Sequence, residues 1–116
     1  MLPKRQRISH KDIENIIKLG KNFHTDNFYG KFFLNKLKKP RFAVVIPTYI
    51  EKKSTKRHLL KRRVLFAVEK FKRDNPKILN KSLDLIIFLK NKALFLNFSQ
   101  ISLEINRILE HTPVLF

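Results

Sequence analysis

The stretch KKSTKRHLLKRRV, residues 52–64, sets seven lysines and arginines in thirteen positions without one acid, yet keeps Leu59, Leu60 and Val64 among them. A disordered basic tail needs no leucines, and an ordinary solvated helix interleaves glutamates to relieve repulsion. The segment therefore has two obligations: an apolar stripe to be seated on a core, and a cationic surface that asks for an anionic partner. Followed at helical period, the stripe runs through Leu60, Val64, Ala67, Val68 and Phe71. Ser54 or Thr55 is the expected N-cap, and the helix should stop near Asp74 to Pro76.

The charge is not local. Across 116 residues, 26 Lys and Arg stand against 9 Asp and Glu, a formal +17. Self-repulsion on that scale costs a small chain stability, so a polyanion that neutralises it is the economical partner: nucleic acid first, an anionic membrane surface second. At 43% hydrophobic residues, with eleven Phe, the chain is too apolar for disorder and about the size of one domain, residues 1–116. The longest strongly apolar run, LIIFL at 85–89, is far short of the roughly 20 residues a spanning helix needs. The N-terminal stretch has charge but no apolar h-region, so a cytoplasmic protein is expected. Without cysteine there are no disulfides or thiolate zinc sites.

The remaining elements are marked by their ends. Ser9 as N-cap, Asp12 at N3 and an Ile8/Ile13 staple open a short helix at about 10–19, striped by Ile13, Ile16 and Ile17, with Gly20 suited to C′. NFYGKFFL (27–34) alternates, with Phe28, Gly30, Phe32 and Leu34 on one face and Tyr29, Lys31 and Phe33 on the other. It reads as a strand, and RFAVVI (41–46) as its antiparallel partner, limited by Pro47. LDLIIFLK (83–90) reads as a strand covered on both faces, with room for a parallel neighbour. Asn97 as cap, Gln100 at N3 and a Leu96/Ile101 staple begin a last helix ending before Pro113. The expected class is α+β: a small mixed sheet packed with helices, in the order α-β-β-(β)-α-β-α.

Few residues suit catalysis. The acids are spread thinly, with no evident metal-binding pair. The four histidines, His10, His24, His58 and His111, are scattered, and a two-histidine ribonuclease needs two of them to meet across a phosphate. Two glycines cannot build a phosphate loop. Binding remains. On a helical wheel Lys56, Arg63 and Lys70 flank the apolar stripe on one side and Arg57, Lys61 and Lys72 on the other, while Arg62 faces outward and Lys52 and Lys53 extend the charge into the preceding loop. Tyr29 and Phe33 beside Lys31 form a second candidate, a stacking platform for unpaired bases.

At this point the chain resembles the bacterial ribonuclease P protein subunit. In that family a basic helix with the pattern R-N-x-x-[KR]-R follows a Lys-rich loop, and IPTYIEKKSTKRHLLKRRV aligns with it without a gap. Arg57, Lys61 and Arg62 take the Arg, Lys and Arg positions. His58 stands at the usual Asn, Leu59 at a common Arg, and Leu65 and Phe66 where Arg and Glu are frequent. The opening LPK followed by a short helix ending in Gly, the strand RFAVVI, the strand LDLIIFLK and the closing LNFSQISLEINRIL are similar to the family's successive segments, in order. Ile13 and Ile17 stand at its cleft aromatics, Lys31 at a strand Tyr, and Tyr49 at a Lys.

The resemblance implies an RNA-dependent endonuclease in which the RNA subunit, with bound Mg2+, releases the mature 5′ end of tRNA and the protein supplies no catalytic residue and no metal site. It implies a left-handed crossover around the basic helix, and one protein per RNA. By position, Lys52, Lys53, Lys56, Arg57, His58, Lys61, Arg62 and Arg63 are expected on the catalytic RNA. Ile13, Ile17, Tyr29, Lys31, Phe33, Val45 and Tyr49 are expected to line a cleft for the single-stranded 5′ leader of precursor tRNA. With isoleucines on the helix side, stacking there falls to Tyr29, Phe33 and Tyr49. A ribosomal-type structural RNA-binding protein and a self-contained histidine nuclease are the competing readings.

Overall fold

The computed structural model describes residues 7–111. The LPK opening and Pro113 lie outside them. Helix α1 (His10–Leu19) starts as its sequence dictates: the Ser9 hydroxyl accepts the Asp12 amide at 3.3 Å. The Asp12 carboxylate, expected to close the capping box, bonds to Arg41 at 2.9 Å. Gly20 does not adopt the left-handed conformation of a C′ glycine; its φ is −73°. Glycine is required there by crowding, because a Cβ would lie 2.6 Å from the Ile16 carbonyl oxygen and 3.0 Å from that of Phe32.

Four strands follow the order β1-β2-β4-β3: β1 (Lys21–His24), β2 (Phe28–Leu34), β3 (Arg41–Val45) and β4 (Leu83–Leu89). β1 fills the optional third strand before the basic helix, at a polar segment with no alternation to announce it. Its turn into β2 is held from a distance by Glu104, whose carboxylate accepts from Thr25 Oγ1 (2.6 Å), Asn27 N (3.1 Å) and Asn27 Nδ2 (2.7 Å).

The pairing of 41–46 with 27–34 needs correction. β4 inserts between them, antiparallel to β2 and parallel to β3. The cause is hydrophobicity: β4 is buried along nearly its whole length, so it takes the centre, and the more polar β1 and β3 take the edges.

Helix α2 (Ser54–Asp74) crosses from β3 to β4 and packs with α3 (Phe98–His111) on one sheet face. Leu60, Val64, Leu65, Val68 and Phe71 are all buried there. At about 1.5–3 kcal/mol per large side chain, this seat far outweighs the few tenths of a kcal/mol lost to each like-charged pair along the exposed helix face. A helix this basic forms because its other side is so well buried.

The N-cap of α2 is Lys53, one residue before the expected Ser54 or Thr55, and its side chain makes no capping bond. Arg57 Nη1 instead donates to the carbonyls of Glu51 (2.9 Å) and Lys52 (2.8 Å), tying the loop to the first turn. In α3 the capping box is reciprocal, Asn97 N to Gln100 Oε1 and Gln100 N to Asn97 Oδ1, both 2.9 Å.

The second sheet face is covered by α1. Ile8, Ile16 and Ile86 form a smaller core there, bordered by Ile13, Phe33, Ala43, Val45 and Phe88. Among the described residues, no helix is long and apolar enough to cross a membrane.

Candidate nucleic-acid interface

Strand alternation brings the expected cleft residues to the α1 side of the sheet. Pairing aligns Tyr29 with Phe88 and Phe88 with Val45, and in the next row Lys31 with Ile86 and Ala43. Tyr29 and Phe88 stack with ring centroids 4.9 Å apart and planes 10° from parallel. Burial, and then the hydrogen bond that its hydroxyl donates to the neighbouring Tyr49, push the Tyr29 phenol above its ordinary value. Tyr49 itself is 76% exposed. Ile13 and Phe33 are half-buried on the same face, while Ile17, at 40%, stands at the helix rim.

Phe88 belongs to this aromatic group, and sequence reasoning missed it. It lies in a continuous apolar run whose two faces separate only once Asp84, Ile86 and Phe88 are recognised as one of them.

At the other end of that face is a charge cluster. Arg41 donates from Nε and Nη2 to the two oxygens of Asp84, at 2.8 and 2.7 Å, and from Nη1 to Asp12. Asn35 Nδ2 adds a bond to Asp84 at 2.8 Å. The guanidinium, helped by the Ser9 hydroxyl, holds the Asp12 carboxyl below the usual range. The arginine's own ionisation is driven upward, chiefly by Asp84. These two carboxylates converge, but on a cation that occupies them. This donor set does not fit a divalent ion, and among the described residues no three of His, Cys, Asp and Glu gather.

On α2 and the loop before it, Lys52, Lys53, Lys56, His58, Lys61 and Arg62 are exposed, and Arg57 and Arg63 are half-buried. Arg57 is partly spent on the loop carbonyls. The basic helix and the cleft meet. Lys61 lines a hollow of about 190 Å³ together with Ile13 and Val45, and Arg7 and His10 stand at the same hollow. An apolar floor with cations around it suits a nucleotide chain, bases inward and phosphates on the rim.

Two histidines also share a hollow, His24 and His111, beside Arg107. Its other walls include Phe23, Phe32 and Ile108, and the Lys90 ammonium lies 2.8 Å from His24 Nε2. His10 and His58 lie elsewhere, at the α1 hollow and on α2.

Residues 2–113 match the family model described as ribonuclease P. No match to the chain is found among curated proteins. The fold is similar to that of the RNase P protein from Thermotoga maritima, at 23% identity and a TM-score of 0.74, over 91% of this chain and 96% of that one. It is also similar to the RNase P protein of Staphylococcus aureus, at 17% identity and a TM-score of 0.73, over 90% and 93% of the two chains. These likenesses establish a common fold, and the sequence match over nearly the whole length establishes the family. The chain belongs to the ribonuclease P protein family.

Proposed function

We propose that this chain, acting as one RNA-binding unit in the bacterial cytoplasm, holds the catalytic RNA of ribonuclease P with α2 and the 5′ leader of precursor tRNA with the α1 face of its sheet. Lys52, Lys53, Lys56, Lys61, Arg62 and Arg63 neutralise phosphates of the RNA subunit, His58 adds a polar contact, and Arg57 fixes the loop that presents them. The leader runs over Tyr29, Lys31, Phe33, Val45 and Tyr49, with Ile13 and Ile17 as an apolar wall. Mg2+ bound by the RNA supplies the hydrolytic chemistry.

What the protein adds is selective binding. A leader contact exists in the precursor and vanishes in the mature product, so it favours substrate over product without any catalytic side chain. The observation that carries this reading is the shared hollow of Lys61, Ile13 and Val45: an RNA seated on α2 and a strand lying in the cleft would be neighbours. The experiment is a comparison of holoenzyme affinity for precursor and mature tRNA, with one protein per RNA. Tighter binding of the precursor is expected. Equal affinities would favour a purely structural RNA-binding role.

A further inference from the structure

The outward ridge of α2 carries a residue that the leader cleft does not use. Phe66 is 59% exposed, while Leu65 beside it is buried. A single exposed aromatic is ordinary on a protein surface. Phe66 is distinguished by its setting. It lies one helical turn after Arg62 and one before Lys70. With Glu69 it walls two open hollows, one of about 240 Å³ completed by Arg62 and Leu65, the other of about 440 Å³ completed by Lys72, Arg73 and Leu79. In the pattern that the helix resembles, this position is often a glutamate; here it is Phe66.

We propose that Phe66 is a base-stacking site, taking an unpaired nucleobase of the RNA subunit against its ring while Arg62 and Arg73 hold the flanking phosphates. This rests on the reading that α2 faces that RNA. Charge selects the occupant. From residue 52 to 73 the chain carries ten Lys and Arg and a single acid, Glu69. A second copy of a chain with formal charge +17 would oppose cation to cation across the same patch, whereas an RNA strand supplies both the anionic backbone and a flat apolar face. Aromatic stacking tolerates any base, so the site selects unpaired geometry rather than sequence.

The chain has no tryptophan, so Phe66→Trp places a single, selectively excitable indole at the site. The test uses holoenzyme assembled from the full chain and its cognate RNA subunit, with Phe66→Ala, Phe66→Leu and Phe66→Trp compared for RNA affinity. Loss of one stack is expected to weaken binding about tenfold or more in Ala. Leu should remain weak, and Trp should bind within about twofold of wild type, with its fluorescence quenched when RNA is added. Unchanged affinity in Ala, full affinity in Leu, or an unquenched Trp would overturn the stacking site. So would a protein dimer that Phe66→Ala dissociates. Ala should leave the preference for precursor over mature tRNA intact, because Phe66 is outside the leader cleft. If the wild-type protein itself does not bind the RNA, the parent reading fails and this site with it; wild-type binding with an insensitive Phe66 overturns the site alone.

Discussion

Arg41 grips Asp84 through two parallel hydrogen bonds, 2.8 and 2.7 Å, across the parallel pair β3 and β4. Asp84 is 1% exposed, in the most buried strand of the sheet, and the same guanidinium reaches Asp12 at the start of α1. One side chain thus ties the helix that covers the cleft to the central strand beneath it.

Removing only Arg41 leaves a buried carboxylate without its charge partner. Arg41→Ala should cost about 3–5 kcal/mol, read as a fall in the urea midpoint, whereas Arg41→Met combined with Asp84→Leu should recover most of the loss. A single substitution with no effect would show that the pair carries little stability.

The chain has two tyrosines, so Tyr49→Phe leaves Tyr29 as the only titrating phenol. Its midpoint should fall toward the ordinary value of about 10 but remain above it, because burial is the larger cause and persists. A folded pKa raised in this way contributes stability that is fully present below the unfolded value and declines as pH rises past it. A midpoint unmoved by Tyr49→Phe would separate the two rings.

The cleft and the basic helix should fail differently. Tyr29→Ala should weaken holoenzyme binding of precursor tRNA by about 1–3 kcal/mol with little effect on mature tRNA. Lys61→Ala should weaken RNA-subunit binding and reduce the salt slope by about one. With six to ten phosphate contacts, wild-type affinity for the RNA subunit should drop about 10³ to 10⁵ between roughly 50 and 200 mM salt. Titrations at several salt concentrations read all three.

The histidines serve as a control on the chemistry. Replacing His10, His24, His58 and His111 by Ala one at a time should leave cleavage by the holoenzyme largely intact. Abolition by any one of them would place that imidazole in the reaction.

Features encoded within a few residues were legible in the sequence: the Ser9 cap, the Asn97/Gln100 box, and the stripe of Leu60, Val64 and Phe71. The face of Tyr29, Lys31 and Phe33 followed from alternation alone. What was not legible depends on pairing partners far apart in sequence. β4 lies between β2 and β3 because it is the most apolar strand, a competition that no local pattern displays. Gly20 answers to the Phe32 backbone brought against it, and Phe88 joins the cleft only through its register with Tyr29. Arg57, expected on RNA from its motif position, spends part of its guanidinium on carbonyls that the loop happens to aim at it.

The most direct measurement of the central claim is reconstitution at low magnesium. Adding this protein to its cognate RNA subunit should stimulate release of the 5′ leader from precursor tRNA. No stimulation of an RNA that is active alone at high magnesium would contradict the account.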